Sequence, residues 1–186
     1  MSERVIEGAR LRGGSWRRGP ALLAAVVLAA YALVGLGAGW AWHELWQPSD
    51  GVVFQKQWYA DGEALRQDFS GTGLYVLVAA GCGLALGGVF ALVGSQRPVL
   101  TLVLCVAGSL LAAWLMLTLG ERLGPADPHD LAETAEDGSR LPSALRVAGV
   151  PPLLAFSLGS LAALALVFTL FPGKGREAGS SPEPRG

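Results

Sequence analysis

The chain has 186 residues, of which 52% are hydrophobic and 16% charged, with a formal net charge of −1 and a mean hydropathy of +0.43. An ordinary soluble domain carries about 25% charged residues, so the shortage argues against a soluble fold, and the near-neutral balance argues against nucleic-acid binding. The charges are also clustered: residues 19–42, 70–96, 98–120 and 147–173 hold none, the pattern of membrane spans and not of amphipathic helices in a soluble bundle.

Residues 1–19 carry Arg4, Arg10, Arg12, Arg17 and Arg18 against Glu3 and Glu7 and read as a basic, disordered cytoplasmic tail. Arg17-Arg18 before an apolar run also fits a secretory or twin-arginine signal. The run is longer than the ~7–15 residues of a signal core, however, and no A-x-A site follows it. It ends in Trp40, Trp42 and Trp46, an interfacial aromatic belt. An uncleaved first span over about 21–42 is therefore predicted, with Pro20 at its start and Tyr31 facing a neighbouring helix or water.

Residues 43–73 form a first large loop. Residues 52–59 are rich in β-formers and Asp61-Gly62 follows as a turn signal. This predicts a short β-hairpin, with residues 63–69 returning as a strand or a single helical turn. Two further spans follow over 74–93 and 99–119, each about 20 residues long, enough to cross roughly 30 Å of hydrocarbon. Only Gly94-Ser95-Gln96-Arg97-Pro98 separates them, which predicts antiparallel neighbours. In a second loop, 120–148, Gly124-Pro125 and Asp127-Pro128 break the preceding helix. A short helix over 129–136 is expected there, with Asp127 as its cap. The fourth span covers about 150–171, with Pro151-Pro152 in its first turn and Pro172-Gly173 as its stop. Residues 173–186 read as a second disordered cytoplasmic tail. The membrane domain is thus 20–172.

The two tails and the short turn contain nine Lys/Arg and four acids, whereas the two large loops contain five Lys/Arg and eleven acids. Lys and Arg near span ends mark the cytoplasmic side. The fold class expected is an all-α integral membrane protein of four transmembrane helices. Its N- and C-termini are cytoplasmic, its two loops are extracytoplasmic, and its location is the bacterial cytoplasmic (plasma) membrane.

Each span carries a small-xxx-small pair: Gly35/Gly39, Gly83/Gly87, Gly108/Ala112 and Gly159/Ala163. Residues four apart share a helix face and let backbones approach closely, so these eight are the expected helix-packing residues. A chain with 26 glycines also makes such pairs by composition. The dense run Gly81, Gly83, Gly87, Gly88 favours a close contact on the second span. His43-Glu44 and Asp127-Pro128-His129-Asp130 fall on one side of the membrane, but no recognised metal-ligand spacing is present. Cys82 and Cys105 lie at depths differing by about 7–8 Å, too far apart in a straight hairpin for a disulfide. No ionisable side chain lies inside a span, which weighs against a pump or secondary transporter. The intramembrane hydroxyls Thr101, Ser109, Thr118, Ser157, Ser160 and Thr169 can bond to carbonyls of their own helices. No nucleophile elbow, zincin motif or Walker lysine loop occurs. No catalytic, cofactor-binding or metal-binding residue is assigned, and no cofactor is expected.

The layout carries a further signal. A basic tail leads to a Trp-terminated span, a Val-Val-Phe strand and a Gly/Arg/Pro turn. Leu119-Gly120-Glu121-Arg122-Leu123-Gly124-Pro125 then leads to Leu141-Pro142-Ser143-Ala144-Leu145-Arg146. This resembles an uncharacterised actinobacterial family of four-span membrane proteins, a domain of unknown function, over about 23–171. The resemblance implies fold and location only. The function expected is a non-enzymatic scaffold or an accessory subunit of a cell-envelope complex. Its partners would be the lipid bilayer and either another membrane protein or a second copy of the chain. The alternatives are a small oligomeric transporter or channel, and an envelope enzyme using outer-loop carboxylates.

Overall fold

A computed structural model describes residues 3–60, 62–94, 96–147, 149 and 151–170. The chain is mostly helical. Helix α1 is Glu3–Leu45, α2 Gly62–Val93, α3 Pro98–Leu123, α4 Pro128–Ala132 and α5 Ala155–Leu170, the last preceded by a 3-10 turn at Pro151–Leu154. Strands β1 Asp50–Phe54, β2 Gln57–Ala60 and β3 Arg140–Pro142 make one small sheet. Four of the helices are long and apolar enough to cross a membrane, within 20–45, 70–93, from Pro98 onward, and 152–170.

The helix ends differ from those predicted. α1 is continuous from Glu3, through the stretch read as a disordered tail, and Pro20 lies inside it instead of opening it. Extending an existing helix adds one hydrogen bond for each residue fixed, and Glu, Arg, Ala and Leu in that stretch are good helix formers. α2 begins at Gly62, so residues 63–69 belong to a long helix and not to a returning strand. The two prolines form the 3-10 turn before α5 and not its first turn. The C-terminal tail and its Pro172-Gly173 stop lie outside the described residues.

The predicted hairpin is present but folds earlier. Its turn is Gln55-Lys56, with φ of +49° and +60°, the left-handed pair of a two-residue hairpin loop. Phe54 pairs with Gln57 and Val52 with Tyr59. A lone hairpin is marginally stable; here β3, from the second loop, pairs antiparallel with β1 to give the order β2-β1-β3. Gly138, at φ +92°, turns the chain into β3 and donates its N–H to Val53 O at 2.8 Å. Gly51 is required where it stands, because the Trp58 ring occupies the place of a Cβ. Trp58 Nε1 donates to Leu141 O at 3.1 Å.

A buried serine pair locks the two loops together. Ser143 N donates to Ser49 O at 2.7 Å, and Ser49 N and Oγ donate to Ser143 Oγ at 3.2 and 3.1 Å. Ser143→Ala strands both Ser49 donors in a buried site, which costs about 1–3 kcal/mol. The melting temperature in detergent should fall clearly below that of an exposed control such as Glu133→Ala; equal values would show that the pair contributes nothing.

Around the bundle the helices follow the order α1, α3, α5, α2, with α1 packed chiefly on α3 and α2 chiefly on α5. Gly35 meets Ala112 and Gly39 meets Met116, while Gly83 meets Phe156 and Gly87 meets Ser160, so each tight pair is parallel. Trp42 touches Tyr75 whereas Tyr31 touches Phe90, so α1 and α2 are antiparallel. It follows that α2 and α3 run antiparallel, as predicted, but across a diagonal and not as close neighbours. The short turn fixes direction only. The partner of each helix is decided by which faces let backbones approach. At the turn itself Thr101 Oγ1 donates to Gly94 O and Arg97 O, both at 3.1 Å.

Candidate functional site

Two places concentrate side chains with chemical or packing roles: the centre of the bundle and the end that carries the sheet. In the centre, the small-residue pairs set the geometry. A Cβ on Gly35 would lie 2.7 Å from Ala112 Cα and O, and one on Gly39 would lie 2.7 Å from Met116 O. Gly108 lies under the Tyr31 ring, 2.6 Å from Cδ2 on the same measure. On the other seam Gly83 abuts the Phe156 carbonyl, Gly87 the Ser160 backbone, and Gly159 the Ala80 carbonyl. Ala112 and Ala163 are buried. Gly81 and Gly88, in contrast, have open space where a Cβ would be, so the dense glycine run on α2 divides into a packed half and an open half. Gly120, under the Trp42 ring, is a close approach that the small-xxx-small pattern does not find, because its partner is an aromatic ring and not a second small residue.

These close approaches bring aromatic and hydroxyl groups together between the seams. Tyr31 is fully buried, its ring 5.9 Å from that of Phe90 and 6.0 Å from that of Phe156. Its hydroxyl lies 2.9 Å from Ser160 Oγ, and Ser160 Oγ in turn donates to Gly83 O at 3.1 Å. Tyr75 Oη donates to Ala113 O at 3.1 Å. One tyrosine therefore bridges each diagonal of the bundle: α1 to α5, and α2 to α3. Ser109 and Ser157 hydroxyls meet at 2.8 Å, and Trp42 Nε1 donates to Gly71 O at 2.9 Å. Thr118 and Thr169 bond to carbonyls of their own helices, as expected. Ser157 and Ser160 bond between helices instead, and Ser109 does both. Neither cysteine is in a disulfide; Cys105 is buried and Cys82 half-buried.

At the sheet end, Asp127 accepts from His129 N at 3.1 Å and caps α4. This is the predicted capping role, although the helix it caps is shorter than predicted. Its other oxygen accepts from Arg146 Nη2 at 2.6 Å. His129 stands edge-on to Trp58 with ring centroids 5.6 Å apart. Together with Thr72, Ser143 and Arg146 these residues line an open cleft of about 310 Å³. His43 is not among the lining residues, and its Nδ1 is buried without a hydrogen-bond partner among the described residues. Among the described residues no three His, Cys, Asp or Glu side chains gather as a metal site. Trp58, His129 and Arg146 belong to separate segments, so no local motif marks the cleft. The one local signal is Asp127-Pro128, which marks the break after the preceding helix and, through Asp127, the cap of the next.

No family model, no curated protein and no solved structure matches this chain.

Proposed function

We propose that this is a four-span protein of the bacterial cytoplasmic membrane that acts as a non-enzymatic scaffold or accessory subunit of a cell-envelope complex. Both termini and the Gly94–Arg97 turn lie in the cytoplasm, and the sheet and its cleft lie outside. The excess of Lys and Arg in the tails and turn, against the acidic loops, supports that orientation.

One observation carries the functional reading: the space between the helices is filled. Tyr31, Phe90, Phe156 and Met116 occupy it, and its hydroxyls bond to one another or to carbonyls. No ionisable Asp, Glu, Lys, Arg or His lies between residues 70 and 94 or 98 and 120, where a transport path would need one. The tight glycine faces are also used within the chain, so a partner in the membrane would meet the outward faces, where Gly81 and Gly88 are open.

Two measurements test the reading. The tagged chain, extracted from its native membrane in mild detergent, should run as a particle heavier than one chain with its detergent, containing a defined second membrane component. A strictly monomeric particle would contradict the scaffold role. For orientation, a thiol reagent applied to intact cells should label Glu133→Cys but reach Gln96→Cys only after permeabilisation; the reverse pattern would invert the topology.

A further inference from the structure

The walls of the cleft at the sheet end are held firmly. Trp58 is anchored through its Nε1 bond to Leu141 O and by its seat on Gly51. Ser143 is fixed by the backbone and side chain of Ser49. Asp127 is fixed by capping α4 and by its ion pair with Arg146.

Arg146 and Ser143 supply hydrogen-bond donors to this cleft. Asp127 is the one acid among the described lining residues, and both of its oxygens are engaged, by His129 N and Arg146 Nη2. Arg146 uses one nitrogen in that pair, and its side chain is 65% exposed. A guanidinium carries five N–H donors, so this exposed side chain keeps donors beyond the one used by Asp127. Ser143 Oγ accepts from both Ser49 groups, and its own proton is left to donate. The cleft thus presents the Arg146 guanidinium and the Ser143 hydroxyl, with its one lining carboxylate already bonded through both oxygens, beside apolar surface from Trp58, Pro128 and Val147. Its volume of about 310 Å³ is at the small end of ligand sites.

We propose that this cleft binds a small organic anion: a carboxylate or phosphate ester on an apolar or aromatic body of about one ring. The oxyanion sits on Arg146 and Ser143, and the body lies against Trp58 and Pro128. Asp127 holds the guanidinium in place and at the same time competes with the ligand for it. The oxyanion can come from a free solute or from a phospholipid headgroup at the membrane surface.

The test uses the full chain in phosphatidylcholine nanodiscs, titrated with benzoate and with phenyl phosphate, and with benzylamine as the cationic counterpart. Both anions should bind saturably and benzylamine should not. Arg146→Gln should weaken anion binding about tenfold, the scale of one charge-assisted contact. Asp127→Asn, which keeps a capping side chain, should tighten it about threefold by removing the competing charge. A merely structural role for Asp127 would weaken binding instead, so this variant still decides the matter if Arg146→Gln fails to fold. Anion binding that weakens when phosphatidylglycerol enters the nanodisc assigns the site to a lipid headgroup; unchanged binding assigns it to a solute. The proposal is overturned if neither anion saturates, if benzylamine binds as well, or if Arg146→Gln binds the anions unchanged.

Discussion

Gly87→Ala should lower the stability of the solubilised protein by about 1–3 kcal/mol, and Gly83→Leu with Gly87→Leu should leave no folded protein at all. A Cβ at Gly87 would lie 2.5 Å from Ser160 O and 2.7 Å from Ser160 Cα, and one at Gly83 would overlap the Phe156 carbonyl. These are backbone atoms, so no rotamer change can relieve the clash; the α2 and α5 axes must separate. Separation would pull Ser160 Oγ from Gly83 O and disturb the Tyr31 hydroxyl that depends on it. Gly81→Ala and Gly88→Ala are the matched controls. With nothing within 4 Å of the added carbon, each should stay within about 0.5 kcal/mol of the parent. Fluorescence-detected melting of all four variants checks the contrast. Four equal effects would mean that the glycines reflect composition and not a close helix seam.

Tyr31→Ala should be comparably damaging, at about 3–5 kcal/mol. The side chain is fully buried where all four helices converge: it is carried by α1, seated on Gly108 of α3, stacked near Phe90 of α2 and bonded to Ser160 of α5. Truncation would open a cavity that Gly108 cannot fill. Tyr31→Phe separates the ring from the hydroxyl. It keeps the packing and removes one hydrogen bond, and Ser160 Oγ retains its bond to Gly83 O, so the loss should be about 1 kcal/mol. A Phe variant as unstable as the Ala variant would move the weight from the ring to the hydroxyl network.

These two sites also show what could be read in advance. Apolar length is a local property, so the four long apolar helices are legible from charge-free windows alone. The eight small residues are legible as faces, but which face meets which is not, because a Gly-xxx-Gly pair names no partner. The five-residue link between α2 and α3 suggested the wrong neighbour: it constrains direction, while the backbone approaches at Gly35, Gly39, Gly83 and Gly87 choose α3 for α1 and α5 for α2. Tyr31 was legible as a mid-span hydroxyl in need of a partner, and Ser160 is that partner.

The sheet end was less legible. Gln55-Lys56 has no glycine or asparagine to mark a left-handed turn, and Asp61-Gly62 carried the stronger signal. Arg140-Leu141-Pro142 has no strand signature; it becomes a strand because β1 offers an open edge and Ser143 holds it there. The cleft depends on that tertiary pairing, so its residues share no motif. The Asp127 cap is the exception, because capping is settled within a few residues.

The pairing of the two loops into one sheet is the claim on which the cleft depends, and the same bond reports on the proposed extracytoplasmic side. Ser49 Oγ and Ser143 Oγ are 3.1 Å apart, within reach of a disulfide after small adjustment. In a chain whose Cys82 and Cys105 are replaced by serine, Ser49→Cys with Ser143→Cys should form an intramolecular disulfide in growing cells without added oxidant, seen as a faster band on a non-reducing gel. Thiols that stay reduced in the cell, and stay unlinked when isolated membranes are oxidised, would contradict the account.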